Sequence, residues 1–158
     1  EEYPPDITLL YAVQVPDQGG NTLFSNQYLA YEALSDWIKK TYKKSKALHS
    51  NKSILKLTGG NIQNCKSVLH PIFREHPETN KKALYVTEAF VEGIDGIVES
   101  ESSKLLKTLY KIAKEKRFRY EHKWEKEDLV VWDNRCVQHY AVHDYGDEMR
   151  TMYRITVG

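Results

Sequence analysis

Cysteine is nearly absent from this 158-residue chain: Cys65 and Cys136 stand alone, with no CxxC and no Cys/His spacing around them. That rules out a disulfide framework or a structural zinc knot, and it predicts plain thiols in a reducing, cytoplasmic compartment. No apolar run approaches the ~20 residues of a membrane span, and the acidic opening Glu1-Glu2-Tyr3-Pro4-Pro5 does not read as a signal peptide. Charge of one sign is lacking too. The 23 basic and 22 acidic residues leave a net charge of +1, which gives no long-range field to attract nucleic acid or an anionic membrane. The lysines at 39, 40, 43, 44 and 46 read as a solvated helix face, because no aromatics are interleaved with them in a stacking register. No break in composition divides the chain. With 41% hydrophobic residues it is expected to form one domain over 1–158, and a homo-oligomer stays open.

What is present concentrates in Leu129 to Arg154, LVVWDNRCVQHYAVHDYGDEMRTMYR. Leu129-Val130-Val131-Trp132 is a short run of β-branched and aromatic residues closed by Asp133-Asn134, which predicts a buried strand that turns. Thr151 to Val157 alternates, so Arg150, Met152 and Arg154 share one face of a second strand. Two arginines on one strand face are costly to bury unless something anionic lies opposite. The plainer reading is a solvated face paired with Asp147 or Glu148, and the pattern alone leaves both open.

The remainder supplies a scaffold. Ile7 to Val15 reads as a long strand, apolar on much of both faces, followed by a Pro16–Asn21 loop with two glycines and a strand resuming at Thr22-Leu23-Phe24. Ser25 or Asn26 caps one predicted helix and Ser35 a second. The stretch from Ser45 to Lys66 is polar and glycine-punctuated, a predicted loop that serves as a lid or stays disordered. Val68 to Arg74 and Ala83 to Thr87 read as strands joined by His76-Pro77-Glu78-Thr79-Asn80. His76 and Glu78 have the form of two iron ligands, but a proline-bearing turn is expected to expose both side chains. Ser100 or Ser102 is expected to begin the longest helix, with Leu105, Leu106, Leu109, Ile112 and Ala113 on one stripe. Phe118 to Trp124 reads as a half-buried strand, with His122 as a satisfied sheet histidine; His70, before Pro71, reads as a core or strand-edge histidine.

WDNRCVQHYAVHDY followed by MRTMYR resembles the C-terminal signature of the taurine dioxygenase family, the TauD/TfdA-like Fe(II)- and 2-oxoglutarate-dependent dioxygenases. Two further blocks agree in type and order: VPDQGGNTLFSNQYLAYEALS and VLHPIFREHPETNKKALYVTEAF. The resemblance implies a mainly β fold with helices (α+β), a distorted double-stranded β-helix or jelly roll backed by helices. It also implies Fe(II) as cofactor and 2-oxoglutarate as co-substrate. The reaction implied is hydroxylation by O₂ of a small, anionic sulfonate, sulfate or carboxylate substrate, with release of succinate and CO₂. Carried over by position, His139 is the C-terminal imidazole on the metal, and Thr22 and Arg150 hold the distal carboxylate of 2-oxoglutarate. Arg154 shares that carboxylate or meets the substrate's anion, and Phe90 matches an aromatic position of the substrate pocket. Asp133 and Asn134 would order the turn that carries His139.

The family's other two metal ligands form an H-x-D pair just ahead of the segment matching Glu1 to Pro5, and no H-x-D occurs in these 158 residues. The expectation is therefore an N-terminally truncated fragment of a dioxygenase. The alternative is a non-catalytic jelly-roll module that keeps an anion pocket without the metal.

Overall fold

The computed structural model describes residues 2–158. It is mainly β, and three small antiparallel sheets and a hairpin are arranged around four helices.

The apolar segment at the start forms β1 (Ile7–Gln14) as the centre of the first sheet, flanked by β9 (Leu129–Asp133) and β11 (Thr151–Val157). Leu10 lies opposite both Val130 and Arg154 in this register. One face of the sheet turns inward with Thr8, Ala12 and Trp132 buried. The second sheet has β2 (Thr22–Asn26) between β8 (Arg119–His122) and β10 (Val137–Ala141). The Phe24 ring of this sheet meets Trp132 of the first at 5.2 Å between centroids, in an edge-on contact that joins the two sheets.

The third sheet, with β3 (Lys46–Ser50) between β4 (Ser67–Pro71) and β7 (Val91–Ile94), and the hairpin of β5 (Phe73–Glu75) and β6 (Lys82–Leu84) pack with the helices. Asn26 caps α1 (Gln27–Glu32) by accepting from the N–H groups of Tyr28 and Leu29, and Ser35 caps α2 (Asp36–Thr41) from Ile38. The main core lies here, with Leu105, Leu106, Leu109 and Ala113 of α4 (Glu99–Ala113) set against Ala30, Leu34, Ile72, Leu84 and Ile94. The aromatic contact between the first two sheets thus lies apart from the main packed core.

Three expectations are corrected. Residues 45–66 are not one loop or lid: they contain β3, the central strand of its sheet, and α3 (Lys52–Leu57). Lys46, His49 and Ser50 hide the strand in sequence, and its two neighbours hold it in register. The long helix begins after Val98 with no side-chain cap, and Glu99 and Glu101 complement its first turn instead. Ser102 is buried inside the helix, where its hydroxyl accepts from the Ile94 N–H at 2.9 Å. Finally, Phe118 belongs to a 3-10 turn, so the strand predicted from it is the shorter β8.

Candidate active site

His139 lies at the middle of β10, opposite Phe24, and Thr22 pairs with Ala141 two residues further on. Its imidazole packs on Trp132 at 4.7 Å and on Phe24 at 6.5 Å between centroids, and its remaining edge is open to solvent. Burial against these rings, and secondarily the charge of Arg154, hold its pKa below the ordinary imidazole value. This favours the unprotonated ring, the state that can donate a lone pair to a metal.

The turn before β10 is built by two neighbouring residues. Asn134 accepts from Trp132 Nε1 at 2.9 Å and donates to Thr8 Oγ1 at 2.8 Å and to the Pro5 carbonyl at 3.2 Å. This fixes the indole on which His139 rests. Asp133 is gripped by Arg135 through Nε and Nη2 and approached by His76 Nε2 at 2.9 Å. Burial alone would raise this carboxyl, but its bonds to Arg135 and His76 hold it well below the usual carboxylate range. Both residues order the turn, in agreement with the expectation from sequence.

His76 is buried at 4% exposure, contrary to the expectation that its turn exposes it, while Glu78 is 72% exposed. The imidazole is drawn in because both nitrogens find partners there: Asp133 at Nε2, and the N–H groups of Glu78 and Thr79 at Nδ1. With Cys136 these two form a trio of metal-type donors within 4.8 Å of one another. The guanidinium of Arg135 already neutralises the Asp133 carboxylate, so the trio reads as an ion-paired buttress. His139 belongs to no such trio among the described residues.

A second cluster is assembled from residues far apart in the chain. Arg150, just before β11, donates Nε to the Gly20 carbonyl at 3.1 Å, and its guanidinium lies 6.0 Å from the Trp124 ring centre. Its Nη2 is buried without a hydrogen-bond partner. A buried guanidinium nitrogen without a partner costs folding free energy, and a carboxylate is the group that would relieve it. Gly20, at φ +68°, leaves the room: a Cβ there would come within 2.9 Å of Pro16 Cγ and 3.3 Å of Arg150 Cδ. Thr22 is buried and its hydroxyl accepts from Trp124 Nε1 at 2.9 Å, leaving its own proton to donate. Arg154 follows on β11, exposed and close enough to influence His139.

Two groupings result: His139 with Trp132 and Arg154, and Thr22 with Trp124 and Arg150. Phe90 does not join the rings around His139: it lies on the turn entering β7, 39% exposed, with its carbonyl accepting from the Ser50 N–H. Trp124, Trp132 and Gly20 were missed as site residues. The glycine pair before a strand was a usable signal, whereas the tryptophans' roles depend on contacts across the fold.

The chain as a whole matches one family. Residues 1–156 fit the family described as taurine catabolism dioxygenase TauD, TfdA, and the chain belongs to it. It is 36% identical over 173 residues to an alkylsulfatase of Acinetobacter baylyi, covering 97% of this chain and 52% of that protein. It is 36% identical over 162 residues to an alpha-ketoglutarate-dependent sulfonate dioxygenase of Saccharomyces cerevisiae, covering 99% of this chain and 39% of that one. The crystal structure of AAD-2 in complex with Mn(II) and N-oxalylglycine superposes with a TM-score of 0.90 at 32% identity, covering 99% of this chain and 64% of that chain. The chain thus spans about half the length of the relatives it matches.

Proposed function

We propose that the whole protein is an Fe(II)- and 2-oxoglutarate-dependent dioxygenase acting on a small sulfonate, sulfate ester or carboxylate, and that its two facing sheets form a distorted jelly roll. The observation that carries this reading is the buried, unpartnered Nη2 of Arg150 beside the Thr22 hydroxyl and the Gly20 cradle. A planar guanidinium with one free nitrogen, next to a hydroxyl with a free proton, matches a carboxylate that takes two or three donors.

In this reading Arg150 and Thr22 hold the distal carboxylate of 2-oxoglutarate, and His139, kept neutral by burial and by Arg154, is one ligand of the ferrous ion. When bound, the metal and the 2-oxo acid supply the oxidising chemistry, with O₂ consumed and succinate and CO₂ released. Trp132 and Asn134 keep the imidazole in place, and Arg154 offers a cation to the substrate's anionic group. The names of the relatives, an alkylsulfatase and a sulfonate dioxygenase among them, support an anionic substrate. Phe90 is kept as a wall of the substrate pocket by its position in sequence. The free thiols of Cys65 and Cys136 support a cytoplasmic enzyme.

The test is succinate formation from 2-oxoglutarate by the whole protein under air, with Fe(II) and a panel of sulfonates, sulfate esters and aryloxy acids. Turnover stimulated by one of these anions, and abolished in His139→Ala, is expected. The absence of succinate with every combination would overturn the assignment in favour of an anion-binding module.

A further inference from the structure

The chain between β10 and β11 and the chain between β1 and β2 are tied together through main-chain donors. Val142 N–H donates to the Asn21 carbonyl at 2.9 Å, Gly20 N–H to Asp144 Oδ1 at 2.7 Å, and Asp17 N–H to Glu148 Oε2 at 2.8 Å. Asp144 and Glu148 lie close before Arg150 in sequence, yet each carboxylate accepts from the backbone of the facing loop. The Arg150 Nη2 meanwhile keeps no hydrogen-bond partner.

Gly20 is thereby held at both of its polar groups, its N–H by Asp144 and its carbonyl by Arg150 Nε at 3.1 Å. It sits at φ +68°, directly after Gly19 at φ +76°. Two successive glycines resist rotation least of all residues, so the direction of the Gly20 carbonyl depends on what its own N–H is bonded to. A carboxylate is a strong anchor for that N–H, because a charge-assisted bond exceeds a neutral one. Gly19 leaves the acid its path. A Cβ there would fall 2.5 Å from Asp144 Oδ1 and 3.0 Å from the Asp144 carbonyl oxygen. The first glycine of the pair thus admits Asp144, and the second admits Arg150.

We infer that Asp144 is a positioning residue of the carboxylate pocket: through the Gly20 N–H it fixes the Gly20 carbonyl, and that carbonyl sets the direction in which Arg150 presents its free Nη2. Asp144 acts on 2-oxoglutarate only through Gly20 and Arg150. For the identity of the ligand the inference rests on the dioxygenase reading; for the orientation of Arg150 it stands without it.

Two readouts on the whole protein test it. The first is the exchange with water of the Arg150 Nε–H in the ligand-free protein, followed by NMR and assigned by its loss in Arg150→Lys. Exchange should be at least about tenfold faster in Asp144→Ala, and unchanged in Asp147→Ala, an exposed acid on the same loop. The second is calorimetric titration with 2-oxoglutarate. Asp144→Ala should weaken binding about tenfold in the wild-type background, but less than about twofold in Arg150→Lys, where no Nε–H is left for the carbonyl to hold. Asp144→Asn keeps an acceptor oxygen and should restore most of the affinity. Should Asp144→Ala fail to fold, Asp144→Ser, polar but too short to reach Gly20, takes its place. Unchanged Nε–H exchange would overturn the inference, and so would equal losses of affinity in both backgrounds, the mark of a merely structural acid. A wild type that binds no 2-oxoglutarate, with Nε–H exchange still responding to Asp144, would overturn the dioxygenase reading and leave the orienting role of Asp144 in place.

Discussion

Replacing Arg150 by lysine separates binding from folding. The substitution keeps the positive charge but removes the planar fork, and with it the buried Nη2 that has no partner and the Nε–H bond to Gly20. In the ligand-free protein the cost is the single bond to Gly20, about 1 kcal/mol, partly offset because an unsatisfied buried nitrogen is removed as well. In the 2-oxoglutarate complex the loss includes a charge-assisted bond from Nη2, about 1.5–3 kcal/mol, or roughly ten- to hundred-fold in affinity. Calorimetric titration of the metal-loaded, anaerobic whole protein with 2-oxoglutarate, alongside urea unfolding of the same samples, reads the two quantities. The expected result is weaker binding by at least about tenfold with a stability change of ~1 kcal/mol or less. An unchanged dissociation constant, or a loss of affinity that merely follows a loss of folding, would refute the role given to Arg150.

Arg154→Ala should uncouple substrate from co-substrate: succinate formation without substrate persists, while stimulation by the anionic substrate falls by about tenfold or more, as steady-state assays would show. Gly20→Ala should weaken 2-oxoglutarate binding through the crowding of Arg150 and Pro16 and the strain of a positive φ, measurable in the same titration. His49, packed between His70 and Tyr85, has its pKa lowered to about 4 by burial and then by the charge of His70. Because the unfolded imidazole binds its proton more tightly, stability should fall as pH drops from about 6.5 to about 4, by up to ~3 kcal/mol, and level off below. Urea unfolding across that range should show a flatter profile in His49→Gln, and an unchanged profile would contradict this origin.

The strands of the first sheet were legible because their apolar runs are long: Ile7 to Val15, Leu129 to Trp132 and the alternation over Thr151 to Val157 match β1, β9 and β11 closely. The caps were legible as well, Ser35 outright and Asn26 as one of two candidates with Ser25, since capping is a local interaction. β3 was not, because its register is set by pairing with β4 and β7 and not by its own alternation. Nor was the burial of His76, whose partner Asp133 is 57 residues away. The site divides in the same way. His139, Arg150 and Arg154 are candidates that spacing and resemblance single out. Their chemistry depends on Trp132 beneath the imidazole, on the Gly20 carbonyl 130 residues from Arg150, and on Trp124 bonded to Thr22 across 102 residues.

The central claim is that His139 and Arg150 serve one site, the first at the metal and the second at the carboxylate. The most direct measurement is the visible spectrum of the whole protein loaded anaerobically with Co(II) and titrated with 2-oxoglutarate, in the wild type, His139→Ala and Arg150→Lys. The account predicts a bound-Co(II) spectrum that 2-oxoglutarate alters in the wild type. It predicts loss of that spectrum in His139→Ala, and in Arg150→Lys a retained spectrum that needs at least about tenfold more 2-oxoglutarate to change. An unaltered Co(II) spectrum in His139→Ala would contradict it and place the metal elsewhere.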